Sequence, residues 1–250
     1  MLVDLNKVYA VWLREIKRYL NSKPRILGSL GMPFLILIAL GLGLSSLVGG
    51  TSYKLFLLPG IIGMTLLFSS MFSGVSIIWD REFGFLKEIL VSPTSRLTIV
   101  LGRILGGATT SLLQAIIMLV LATLVLDVPF PAIDTFASIL AVMLVFASSF
   151  VAVGISIASI LNDVEAFQFI INLVIMPLFF LSNAIFPVES APKWLQAVTT
   201  LNPVTYGIDA LRTLITGSGH LSLETSIGIS IAFLVASGAL AVYSFEKTSI

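Results

Sequence analysis

Asp80, Arg81, Glu82, Lys87 and Glu88 fall within nine residues, interleaved with Phe83, Gly84, Phe85, Leu86, Ile89 and Leu90, and long apolar segments lie on either side. Charges at this spacing make ion pairs and hydrogen bonds, and the residues between them add an apolar face. On a helical wheel Phe83, Leu86 and Leu90 share one side with Ile89 next to them, while Arg81, Glu82, Lys87 and Glu88 lie largely on the others. The pattern fits a short amphipathic helix that a partner can grip; a solvated surface loop is the plain alternative. Pro93 ends it, because the residue before a proline resists the helical region. Gly84 costs such a helix about 1 kcal/mol relative to alanine, which implies a bend or the close approach of another backbone.

Catalytic chemistry finds little purchase elsewhere. The chain has no cysteine and a single histidine, His220, which removes disulfides, thiol nucleophiles and thiolate metal sites and makes a zinc site improbable. No G-x-x-x-x-G-K-[ST] run exists, so a nucleotide triphosphate cannot be cradled by that route. Asp209 and Arg212 stand three apart on a predicted helix and could pair across one turn, an ordinary and weak interaction that favours a structural role over substrate contact. Gly60 with Gly63, and Gly102 with Gly106, read as small residues that let helices approach.

The elements holding these residues follow from composition. Hydrophobic residues make up 57% of 250 and charged residues 11%, with a mean hydropathy of +1.07; soluble domains run nearer a quarter charged. A helix needs about 20 apolar residues to cross a hydrocarbon core. Spans are predicted at 26–48, 55–79, 100–126, 135–161, 166–188 and 224–245, with no ionisable residue in their interiors, which argues against ion-coupled carriers and intramembrane enzymes. Leu5, Val8, Tyr9, Trp12, Leu13, Ile16 and Leu20 recur at helical spacing opposite Lys7, Arg14, Lys17 and Arg18, the pattern of an interfacial helix over 1–22. Charges scattered through Met1 to Asn21 argue against a cleavable signal sequence.

An even number of spans puts both termini on one side. That side collects Lys7, Arg14, Lys17, Arg18, Lys23, Arg25, Arg81, Lys87, Arg96, Arg103 and Lys247, against Lys54, Lys193 and Arg212 on the other. Both termini and the 80–96 interruption are therefore expected in the cytoplasm. Between the fifth and sixth spans, 183–223 holds Phe186-Pro187, Pro192-Lys193-Trp194-Leu195 and Asn202-Pro203 around two apolar pieces too short to span, which suggests outer re-entrant helices. The fold class expected is all-α membrane protein, one domain over 1–250. The net charge of +1 comes without a basic patch interleaved with aromatics, so no nucleic-acid partner is expected.

The run from Trp79 through Pro93 to Arg96 closely resembles the cytoplasmic signature of type-2 ABC exporter permeases, in particular the daunorubicin-resistance and nodulation-factor branch. Phe186-Pro187, Pro192, Trp194-Leu195 and Asn202-Pro203-Val204-Thr205-Tyr206-Gly207-Ile208-Asp209-Ala210-Leu211-Arg212 look like that family's outer re-entrant segment. The resemblance covers almost the whole chain, although much of the wider family has threonine and glutamate where Phe85 and Lys87 stand here. It implies two permease copies paired with two ATP-binding subunits, ATP and Mg held by those subunits and no cofactor bound by this chain. It also implies a coupling helix around Glu82 to Val91, with Phe83, Leu86 and Leu90 in buried contact and Arg81 and Glu88 orienting it through charge pairs. Pro187, Trp194, Asn202, Pro203, Tyr206, Asp209 and Arg212 would belong to the outer gate.

The function expected is a permease, itself no enzyme, for ATP-driven export of amphipathic molecules across the cell membrane. Met64, Phe68, Phe72, Phe167, Phe169, Asn172, Met176 and Phe179 would line a lateral opening between protomers, or else face lipid and neighbouring helices. Rival readings are an exporter of lipid-linked glycan, an intramembrane enzyme and a non-transporting anchor for an ATPase.

Overall fold

A helix apolar on every side suits either lipid or the middle of a bundle, and a bundle needs one such helix at its centre. In the structure, a computed structural model that describes residues 3–44, 50–85, 94–188 and 191–247 (backbone only at 23–25 and 27), that place is taken by Thr51–Ser73. Its Leu57, Leu58, Ile61, Ile62, Leu66 and Leu67 are fully buried. We label the helices α1 (Leu5–Leu20), α2 (Lys23–Ile38, continued by a π-helical stretch Ala39–Leu44), α3 (Thr51–Ser73), α4 (Val75–Glu82), α5 (Arg96–Leu126) and α6 (Ile133–Ile160). There follow α7 (Val164–Ile170), a π-helical stretch Ile171–Ile175, α8 (Met176–Phe180), α9 (Lys193–Leu201), α10 (Pro203–Thr216) and α11 (Leu223–Glu246). Among the described residues every element is helical.

Starts are written in the sequence. The Asp4 carboxylate accepts from the amides of Asn6 at 3.1 Å and Lys7 at 3.4 Å at the head of α1. Ser95 accepts from Thr98 N at 3.2 Å above α5, and Asp163 from Ala166 N at 2.6 Å above α7, satisfying amides that a helix start leaves unpaired.

Four helical stretches are long and apolar enough to cross a membrane: Thr51–Glu82, Arg96–Leu126, Ile133–Ile160 and Leu223–Glu246. Two predicted spans are shorter as built, Gly28–Leu44 and Val164–Phe180. The span predicted over 166–188 ends at Phe180, because Asn183 adopts a left-handed φ of 62° and its Oδ1 takes the amide of Val188 at 3.1 Å, folding the chain back.

Two close approaches set the helix positions. At the α3–α4 junction a Cβ on Gly74 would lie 2.4 Å from the carbonyl of Gly154 in α6. On α5, a Cβ at Gly102 would meet Val11 Cβ at 2.7 Å, and one at Gly106 would meet Glu15 Cβ at 2.7 Å. The Gly102/Gly106 pair therefore packs helices, and its partner is α1. Docked this way, α1 buries Val8, Glu15 and Tyr19 against the chain while Leu5, Tyr9 and Leu20 of the predicted apolar stripe stay exposed.

Replacing Gly74 by valine drives side-chain atoms into backbone that cannot swing aside, and should destabilise the bundle by about 1–3 kcal/mol or more. Gly228→Ala, with nothing within 4 Å of the new methyl, should leave stability unchanged or raised. Thermal unfolding of the two variants in detergent makes the comparison.

Candidate functional site

The last turn of α4 points two consecutive charges in different directions. Asp80, 4% exposed, turns inward: its Oδ2 accepts from Arg103 Nη2 of α5 at 2.6 Å and from Arg14 Nη2 of α1 at 2.5 Å. Its Oδ1 lies 3.5 Å from Arg18 Nη1. Arg103 also donates to Ser76 Oγ at 3.1 Å. Sequence reasoning counts Arg103 among the basic residues on the side of the termini; in the structure it is 3% exposed, and a buried guanidinium is tolerable only when paired. Arg14 and Arg18 sit four apart on α1 and so reach the same carboxylate.

Arg81, expected to orient a docking helix, is bound within the chain. Its Nη1 donates to the carbonyl of Leu161 at 2.6 Å and Asn162 Oδ1 at 3.1 Å, and its Nη2 to the carbonyl of Ser159 at 3.1 Å. It thereby caps the carbonyl end of α6, where a cation is favoured. Glu82 is exposed, as are Phe83 at 73% and Phe85 at 53%. Gly84 has a φ of 79° with no atom within 4 Å of a built Cβ, so it marks a bend and not a close approach. Helix resumes at Phe85; Leu86, Lys87, Glu88 and Leu90 lie outside the described residues.

At the far end α9 and α10 are tied down by the residues predicted for an outer gate. Asn202 caps α10 through Val204 N at 3.0 Å and donates to the Leu178 carbonyl of α8 at 2.6 Å. Pro203 opens the helix, and Tyr206 donates its hydroxyl to the Thr200 carbonyl at 2.6 Å. Asp209 and Arg212 are buried at 1% and 5%, not exposed as an ordinary surface pair would be, and each turns to other partners. Asp209 accepts from the amides of His220 at 2.7 Å and Leu221 at 3.1 Å and from Ser226 Oγ at 2.9 Å. Arg212 donates to the Asn183 carbonyl at 2.7 Å and sits 4.0 Å over the Phe56 ring. Pro187 and Trp194 are exposed.

Between α2, α3, α5 and α7–α8 lies a cavity of about 670 Å³. It gathers Met64, Phe68, Phe72, Asn172 and Met176 from the predicted surface. Phe167 and Phe179 form a buried layer behind, with ring centroids 6.4 Å from Phe72 and 6.1 Å from Phe68. Phe169 faces away and is 63% exposed. Sequence reasoning missed Arg18, Ser22, Met32, Trp79, Thr110 and Gln114, which also line the cavity. The four-residue spacing of Thr110 and Gln114, two polar side chains in an apolar span, is the one signal that pointed there. Among the described residues no three His, Asp or Glu side chains converge as a metal site requires.

Asp80→Asn keeps the size and removes the charge, leaving Arg103 buried without a counter-ion; a loss of about 3–5 kcal/mol is expected. Arg14→Gln, at a side chain 40% exposed, should cost less than about 1 kcal/mol. Denaturant unfolding of both variants measures the difference.

The profile of the family described as ABC-2 type transporter matches residues 6–216. The ycf38 transport permease of Porphyra purpurea is 31% identical over 187 residues, 72% of this chain and 62% of the relative, so the match spans less than two thirds of that relative's length. Nodulation protein J of Rhizobium meliloti (strain 1021) is 30% identical over 236 residues, covering 90% of this chain and 87% of the relative. The multidrug ABC transporter permease YbhR of Escherichia coli (strain K12) is 25% identical over 199 residues, 79% of this chain and 54% of the relative. On the family profile and the similarity to nodulation protein J, this chain belongs to the ABC-2 type transporter family.

Proposed function

We propose that this chain is the membrane-spanning subunit of an ATP-driven exporter of amphipathic molecules, working as two copies with two ATP-binding subunits that hold ATP and Mg. The observation that carries the reading is the 670 Å³ cavity, which has the size of a drug-like ligand site and mixes apolar walls with a few polar groups. Its long side is α3 and α4, which run directly into the exposed Phe83 and Phe85. In this reading Gly28–Leu44 and Val164–Phe180 complete six spans, both termini are cytoplasmic, and α9 and α10 are the outer re-entrant pair.

The mechanics follow from the connections at Asp80 and Arg81. A push on Phe83–Phe85 and the helix after it reaches α4, and through the Asp80 cluster α1 and α5. Through Arg81 it reaches α6. These helices then move as one block against α2 and α7–α8, opening and closing the cavity by alternating access. The relatives' names bear on cargo only loosely, since a shared fold hosts different substrates.

A photo-crosslinker at Phe85 in native membranes should capture an ATP-binding subunit, identified by mass spectrometry; capture of only lipid or of this chain, with the protein folded and abundant, overturns the assignment. Truncating both Leu86 and Leu90 to alanine should remove roughly 1–2 kcal/mol per side chain, about 30-fold or more in assembly with the ATPase, and ATP-driven efflux with it.

A further inference from the structure

We infer that the cavity takes an amphiphile with an anionic head and excludes cations of the same size; the inference rests on the reading of this cavity as the cargo site. Charge carries it. Among the described lining residues Arg18 is the one ionised side chain, and neither aspartate nor glutamate is present. The carboxylate that faces Arg18, Asp80, is 4% exposed and already bound by Arg14 and Arg103 at 2.5 and 2.6 Å. Glu15 is equally withdrawn, 7% exposed with Arg14 Nη2 at 3.9 Å. Three guanidinium groups against these two carboxylates leave one positive charge beside the cavity. Among the described lining residues a cation meets Arg18 and no carboxylate, whereas an anion meets a favourable charge.

Arg18 is placed to act on that excess. Its side chain is 30% exposed and its contact with Asp80 is a long 3.5 Å, while the guanidinium rests 5.3 Å from the centre of the Trp79 ring. Asp80 keeps two shorter partners if Arg18 turns away, so the fork can offer paired N–H donors to a carboxylate, sulfate or phosphate without leaving a bare buried charge. Ser22 and Gln168 line the same region and add neutral hydrogen-bonding groups.

The rest of the cavity fits the other half of such a molecule. Met64, Phe68, Phe72, Val75 and Trp79 follow one another along α3 and α4, and Met64 to Trp79 is roughly 22 Å at the rise of a helix. The charged end is at Trp79, and the methionines Met64, Met32 and Met176 supply polarisable, adaptable walls toward the other. An acyl chain or a fused-ring body fills such a slot without polar partners.

The test uses two fluorescent probes with one apolar body, 11-(dansylamino)undecanoate and its trimethylammonium counterpart, titrated into the purified full chain in an uncharged maltoside detergent. The wild type should bind the carboxylate probe about tenfold or more tightly than the ammonium probe, the worth of one charge-assisted hydrogen bond. Arg18→Gln should bring the two within about twofold, and Arg18→Lys should keep part of the preference, as expected of charge without the fork. Gln168→Glu, at an exposed position outside the Asp80 cluster, adds the missing carboxylate and should shift preference toward the ammonium probe; it decides the matter if the Arg18 variants do not fold.

Equal or tighter binding of the ammonium probe, or a preference untouched by both Arg18→Gln and Gln168→Glu, overturns the inference. Met64→Trp fills the slot and separates the two readings: if it leaves both probes binding as before, the cavity is not the cargo site; if it abolishes binding without the charge effects, only the anion preference fails. Competition by phosphatidylglycerol but not phosphatidylcholine supports the inference with a lipid as the source of the anionic head, and competition by free undecanoate alone supports it with a soluble amphiphile.

Discussion

A carboxylate enclosed by guanidinium groups at the end of α4 holds this fold in register. Asp80 and Arg103 are both buried, side by side; each is tolerable there only because the other is present. The pair fixes the height of α5 against α4, and Arg14 and Arg18 add α1 to the same point. One residue further on, Arg81 reaches across to the end of α6. Successive side chains on a helix diverge by about 100°, so two neighbouring charges serve two different groups of helices. The glycines complement this: Gly102 and Gly106 admit α1, and Gly74 admits α6 at the residue where α3 gives way to α4.

The opposite end is organised by the same rule with a different acceptor. Asp209 satisfies two backbone amides and a serine hydroxyl at the entry of α11, so its charge is met by dipoles in place of a cation. Arg212 finds a backbone carbonyl and an aromatic face. The short helix α10 is thus held between α3, α6 and α11 although it is too short to cross a bilayer, with Gly207 pressed on Phe146 and Ile208 on Gly63.

What the sequence made legible was whatever local chemistry decides. The apolar lengths located the long helices, Gly84 allowed a bend or a close approach of which the structure has the bend, and helical spacing aligned Phe68 with Phe72 and Asn172 with Met176, although only the fold brings the two pairs to one cavity. The charges resisted such reading. Arg103 looked like a membrane flank because its partner Asp80 is 23 residues away, and Arg81 was assigned to charge pairs of a docking helix because the carbonyls it caps are about 80 residues away. Asp209 and Arg212 suggested each other since pattern sees only neighbours. Arg18 and Trp79 fell into separate segments, one interfacial and one spanning, until α1 docked onto α5 and brought them to one cavity. Leu86, Lys87, Glu88 and Leu90, which the sequence pattern and the family resemblance single out, lie outside the described residues.

The walls of the cavity differ in kind, and the difference bears on how it opens. On one side α3, which runs on past an internal Pro59, and α5 form long α-helices without π-helical stretches, held by charge and by glycine contacts. On the other side α2 and α7–α8 carry the irregular backbone: Pro33 supplies no N–H to the Ser29 carbonyl, and both residues line the cavity. The π-helical stretch Ile171–Ile175 stands directly before Met176-Pro177 and presents Ile171 and Asn172 to the same space. A π turn carries one residue more than an α turn and is found where helices serve function, and a proline next to it removes a bond that would otherwise resist bending. Bending is therefore cheapest in α2 and α7–α8, while the ion pairs at Asp80 tie α1, α4 and α5 to one another.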